Sequence, residues 1–224
     1  MQKHFLFAGA LFVLAACNTS EQQGANSTVS DTASHSAHNT AGGMDSTGTA
    51  NASMMDLMKK NMDQMEDTRS LGSNDKDFAS LMKIHHTGAL EMARLQIARG
   101  TDPQVKEMAQ KMISEQQREI GEFDAFLSNT TQNSAATEKN SVFYDRVMKE
   151  INDMDMDDGD HSGSIDQQFV QMMIPHHQGA IAMADLYLKT GAQNEKLKSL
   201  AGTMKTDQQK EIQQMQTWLA SHKQ

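Results

Sequence analysis

Cysteine is all but absent from this chain. Its 224 residues carry one, Cys17, which excludes an internal disulfide framework and a thiolate metal cluster. Aromatic residues make up 5%, and Leu, Val and Ile are sparse. Basic residues do not dominate: 20 Lys and Arg stand against 29 Asp and Glu, a net charge of −9. That excludes nucleic acid as a partner, because phosphate binding needs clustered cations. Long apolar runs are confined to the first twenty residues, and that run is too short to span a membrane. Catalytic signatures are missing too. There is no Gly-x-Ser-x-Gly, no phosphate-cradling glycine loop and no His-Glu-x-x-His.

Methionine is what the chain has in excess, with 19 residues. It is a flexible filler of cores and also a soft thioether ligand. Composition alone leaves both uses open.

The amino terminus reads as an export signal. "MQKH" is a short basic start, "FLFAGALFVLAA" is the apolar segment, and small residues precede Cys17. Leu14-Ala15-Ala16-Cys17 resembles the bacterial lipobox, which implies cleavage after residue 16 and a lipid on Cys17. The plainer reading is a cleaved signal with a chance cysteine. With the lipobox, the expectation is an exported protein, lipid-anchored at the periplasmic face of the cell envelope. Asn18 carries no inner-membrane retention signal, so an outer-membrane anchor is compatible.

Residues 17–53 are rich in Ser, Thr, Asn, Ala and Gly and read as a disordered tether. Residues 54–70 change character. Met54, Met58, Met62 and Met65 fall on one stripe of an amphipathic helix. That stripe either docks the helix on the core or gathers copper through thioethers. Further on, 129–163 reads as a linker, with a short helix near 141–151 and an acidic stretch "DMDMDDGDHSG". An EF-hand loop from Asp153 would need Gly and Glu where Asp158 and Ser164 stand, so the stretch reads as solvated linker.

The rest of the chain is duplicated, as hairpins over 75–128 and 164–222. Phe78, Met82, His85, His86, Gly88, Met92 and Gly100 recur as Phe169, Met173, His176, His177, Gly179, Met183 and Gly191, at a constant offset of 91. After a one-residue insertion, Met112, Gln116, Glu119 and Leu127 recur as Met204, Gln208, Glu211 and Leu219, at 92. Each copy reads as two helices, 75–99 with 103–128 and 165–189 with 194–221. Gly100 and Gly191 serve as left-handed stops, and Asp102-Pro103 starts a helix. Two hairpins predict an all-α protein with an antiparallel four-helix bundle.

The chemistry-bearing stretches are "LMKIHHTGALEM" at 81–92 and "MMIPHHQGAIAM" at 172–183. At about 100° per residue, Met82, His85, His86 and Met92 fit within about 120° of one helix face. Met173, His176, His177 and Met183 repeat the arrangement. Phe78 and Phe169 extend that face, so it points at the core. On the second helices Gln116 with Glu119, and Gln208 with Glu211, interrupt apolar stripes and should face the histidines. Pro175 is expected to kink its helix. Gly88 and Gly179 are expected to permit close packing.

Two readings compete. Glu119 and Glu211 satisfy the histidines as hydrogen-bond acceptors in a structural polar core, or the histidines bind metal. A di-iron bundle would place Glu-x-x-His on two helices; here Met-x-x-His stands instead. Soft sulfur in place of hard oxygen points to copper, Cu(I) above all, while imidazole also suits Cu(II). The expected ligands are His85, His86, His176, His177, Met82, Met92, Met173 and Met183, with Glu119 and Glu211 as orienters or further ligands. Met112, Met204, Gln116 and Gln208 are accessory candidates, as is the 54–65 stripe. A redox enzyme is a third reading, disfavoured by the low carboxylate count.

"MIPHHQGAIAMA" with the downstream "QQKEIQQMQTWL" resembles the bacterial family called domain of unknown function 305. The resemblance covers about 75–220. It implies a ferritin-like helical fold and, for exported members, periplasmic copper binding and tolerance. By motif position it implicates Met173, His176, His177, Met183, Gln208 and Glu211. The first copy departs from the pattern at Ile84, Thr87 and Phe123.

Overall fold

Helices hold nearly all of the residues that this computed structural model describes, which are 52–130, 140–153 and 163–222. The expected signal segment, Cys17 and almost all of the expected tether lie outside the described residues, as does 154–162 of the acidic stretch. The helices are α1 (Met54–Glu66), α2 (Asn74–Arg99), α3 (Pro103–Thr130), α4 (Val142–Asp153), α5 (Ile165–Lys189) and α6 (Glu195–Ser221). The fold is all-α, with no strand among the described residues. No helix there is long and apolar enough to cross a membrane.

The helix starts follow their sequences. Ser53 and Asp56 form a capping box on α1, and Ser164 and Gln167 form one on α5. Asp102 Oδ1 accepts from the backbone N–H groups of Gln104 and Val105, ahead of Pro103 at the first turn of α3. Gly191 has φ +96° and is the expected left-handed stop. Gly100 is not: its φ is −66° with ψ 157°, an extended residue. Its missing side chain serves approach instead. A Cβ there would lie 2.1 Å from Gln96 Nε2 and 2.6 Å from Asp166 Oδ1. α5 runs through the exposed Pro175 as one helix.

The two hairpins clasp each other at both ends. Asp166, in the first turn of α5, accepts from Gln96 at the end of α2 and from the Thr101 and Asp102 N–H groups of the α2–α3 loop. Asp75, in the first turn of α2, accepts from the Tyr187 hydroxyl at 2.6 Å and from the Gln193 N–H at 2.9 Å, at the end of α5 and in the α5–α6 loop. The duplication offset relates Asp75 to Asp166 and Gln96 to Tyr187. Each copy thus caps the other's turn. These contacts fix α2 and α5 as antiparallel neighbours, and the short turns set α3 and α6 against them.

Thioethers share the core with branched hydrophobes. Met54, Met65, Met82, Met92, Met112, Met172, Met173, Met183, Met204 and Met215 are all buried. They divide between two apolar clusters. One gathers Met65, Met82, Met183 and Met204 around Phe78, which stacks on Tyr187 with ring centroids 4.0 Å apart. The other gathers Met54, Met92, Met112, Met173 and Met215 with Phe169 and Trp218. α4 adds Phe143, Val147 and Ile151 to the first cluster.

α1 lies on α2 and α5 and docks through Met54, Leu57, Asn61 and Met65. Met58 and Met62 are half-buried. Its closest approach is at Gly88, where a Cβ would lie 2.2 Å from Asn61 Cγ. Gly88→Ala is therefore expected to displace Asn61. Overpacking costs about 1–3 kcal/mol, partly offset by about 1 kcal/mol of helix propensity. Amide hydrogen exchange should speed up in α1 and stay unchanged in α6.

Candidate metal centre

The adjacent histidines of each pair diverge. Successive helical residues point about 100° apart, so one faces into the four-helix bundle and the other faces the α2–α5 seam under α1. The common face expected from the sequence is buried throughout, but it serves two different neighbourhoods.

His86 and His177 are fully buried and reach α3 and α6. His86 Nε2 donates to Glu119 Oε2 at 2.9 Å, and His177 Nε2 donates to Glu211 Oε2 at 2.8 Å. An ionised carboxylate only accepts, so the proton shared in each of these bonds comes from Nε2. Burial pushes the Glu211 carboxyl up, but His177, Glu115 and Lys111 together hold it below its ordinary value. Glu119 has Arg118 as a second neighbour, at 3.3 Å.

His85 and His176 meet each other across the seam, with ring centroids 3.7 Å apart and planes 40° apart. Asn61 Nδ2 donates to the Ile84 carbonyl at 2.8 Å. That turns Asn61 Oδ1 toward His176 Nε2, 3.4 Å away. Gly179 sits beneath His85, and a Cβ there would lie 3.5 Å from Nε2. Burial lowers the pKa of His85 well below the ordinary imidazole value, reinforced by His176, His86 and His177. His176 is lowered by burial and then by His177 and His86. Both rings are therefore neutral at neutral pH.

All four Nδ1 atoms are buried and have no hydrogen-bond partner among the described residues. The methionines lie to either side of this imidazole layer. Met82 and Met183 belong to one apolar cluster, and Met92 and Met173 to the other. Neither copy keeps its own methionines together; each cluster draws one from each. Met112 and Met204 divide in the same way. Among the described residues no three His, Cys, Asp or Glu side chains converge at metal-holding distance. A compact site here would need thioethers among its donors.

Gln116 and Gln208 do not bond the histidines. They line a crevice between α3 and α6 with Glu119 and Glu211. Sequence reasoning missed Asn61, although it is a polar residue inside the methionine stripe of α1, three after Met58 and four before Met65. It also missed Lys111 and Glu115, which flank Glu211 and sit on no buried stripe.

The fold finds counterparts among solved structures. CopM in its Cu(I)-bound form is 26% identical, with 67% of this chain covering 98% of that one at a TM-score of 0.51. CopM in its Cu(II)-bound form is 27% identical, with coverage of 66% and 96% and a TM-score of 0.51. A DUF305 fragment from Deinococcus radiodurans, 23% identical with coverage of 68% and 99% and a TM-score of 0.50, shares the fold. Comparison with curated protein sequences finds no match. The family model described as "Domain of unknown function (DUF305)" matches residues 15–127 and 166–224, and the chain belongs to that family.

Proposed function

We propose that this protein binds copper in the imidazole layer and sequesters or relays it at the cell envelope. The four buried, unpartnered Nδ1 atoms carry this reading. A buried polar atom left without a partner costs about 1–3 kcal/mol, and four together are not explained by the bundle's own hydrogen bonds. Glu119 and Glu211 hold two of the rings at Nε2, as carboxylates behind metal-bound imidazoles do. His85, His86, His176 and His177 are the imidazole ligands, and Met82, Met92, Met173 and Met183 supply thioethers from the flanking clusters. Nitrogen with sulfur suits Cu(I), and the imidazoles alone suit Cu(II). CopM, solved with both copper states, supports the choice of metal. A lipid on Cys17 would hold the protein at the periplasmic face of the membrane, with residues up to 53 as tether.

A structural polar core is the second reading, favoured by the completed His–Glu bonds and by the absence, among the described residues, of three converging His, Cys, Asp or Glu side chains. Competition against a Cu(I) chelator separates the two. His85→Ala/His176→Ala should retain copper at least tenfold less tightly than the wild type. Glu119→Gln/Glu211→Gln should weaken it by about 10–100-fold through loss of ring orientation. Equal, weak retention by all three proteins would sink the copper reading.

A further inference from the structure

The crevice between α3 and α6 has a different chemistry from the imidazole layer beneath it. Its volume is about 150 Å³, room for an ion with water. Glu115 and Glu119 from α3 face Asp207 and Glu211 from α6 across it. Gln116 and Gln208 line it as well, 3% and 4% exposed, and the Oε1 of each is buried without a hydrogen-bond partner among the described residues. We infer that this crevice is a second cation site, built from oxygen donors, that takes a partly hydrated divalent cation of hard character.

The donor set argues for that class. Amide and carboxylate oxygens suit Mg(II), Ca(II) and Mn(II), whereas imidazole and thioether suit copper. The carboxylates do not converge tightly enough to strip an ion bare, so water completes its shell, as such ions tolerate. Two Gln oxygens, one from each hairpin, supply fixed dipoles where nothing else answers them. Crowding of the acids points the same way. Glu115 adjoins Glu211 across the crevice, so its lining sets carboxylates of like charge side by side where a cation would neutralise them. Lys111 lies 3.4 Å from Glu115 and 3.7 Å from Glu211, and Arg118 lies against Glu119. Both cations are half-exposed and can swing into solvent, since such pairs are weak. This site does not depend on copper binding, although Glu119 and Glu211 form part of both.

Mn(II) is the probe, titrated into the full chain with free ion read by electron paramagnetic resonance. The wild type should take up one Mn(II) per chain. Gln116→Leu/Gln208→Leu, which leaves every carboxylate and histidine in place, should bind it at least tenfold more weakly, with helical circular dichroism unchanged. Glu115→Gln, on the half-exposed rim, should bind several-fold more weakly and guards against a folding artefact. Overlapping titrations for all three proteins, or many weak equivalent ions in the wild type, would overturn the site. Cu(I) competition on the same variants should be unchanged. Copper and Mn(II) affinity falling together would also overturn a separate site. Failure of the wild type to bind copper sinks the function proposed above and leaves the Mn(II) result standing.

Discussion

Asp166→Ala should lower the unfolding free energy by about 2–4 kcal/mol, more than any other single change at the clasp. Asp166 is buried and receives the Gln96 amide, the Thr101 N–H and hydroxyl, and the Asp102 N–H. Burial pushes its carboxyl up, yet these bonds outweigh burial and hold it below its ordinary value. Removing the acceptor strands Gln96, which is fully buried and whose Oε1 already lacks a partner among the described residues. Each buried group left unsatisfied costs about 1–3 kcal/mol, while the loop N–H groups can turn to water. Asp166→Asn keeps an acceptor and should cost about half as much. Asp75→Ala is the comparison set by the duplication. It loses the Tyr187 hydroxyl bond and one N–H from the exposed Gln193, so about 1–2 kcal/mol is expected. Urea unfolding followed by circular dichroism ranks the three. Equal costs for Asp75→Ala and Asp166→Ala would show that the two ends of the clasp are equivalent.

That clasp also shows what the sequence did and did not disclose. Helix limits were legible because apolar spacing, caps and Pro103 agree locally, and α2, α3, α5 and α6 begin and end within two residues of expectation. The duplication was legible because Phe, Met, His and Gly recur at one offset. Asp75 and Asp166 obey the same offset, yet an acid in a first turn ordinarily reads as a dipole complement, so nothing marked them as contacts between copies. Gly100 was misread for the same reason. Its glycine answers to the side chains of Gln96 and of Asp166, the second distant in sequence, and not to a left-handed backbone. The division of each histidine pair was out of reach as well. Periodicity shows that both rings are buried but not which neighbour each meets, and the position of α1 over the seam decides that. Asn61 was the available clue, a lone amide in a methionine stripe.

Acid should destabilise the metal-free protein well before its carboxylates titrate. His85 and His176 have pKa values depressed by burial first and then by neighbouring histidines. Unfolding returns them to an imidazole pKa of about 6.5. Below that pH the unfolded chain binds protons that the folded one refuses, so stability is full above it and falls as pH falls. At about pH 5.5 each histidine should have cost about 1.4 kcal/mol relative to pH 7.5, and the pair about 3 kcal/mol. His85→Leu/His176→Leu keeps the volume and removes the titration, so its stability curve should be flatter by that amount. A wild-type curve that stays level across this range, or one that parallels the variant, would mean the rings are charged or solvated in the folded protein. The same depression bears on the proposed function. Imidazole binds metal only when unprotonated, and these two stay unprotonated in the folded chain as pH falls. Copper affinity through His85 and His176 should therefore hold nearly constant from pH 7.5 to about pH 5.5 while stability drops. A copper affinity that instead follows the stability curve would mean that the metal competes with protons at ordinary, exposed imidazoles.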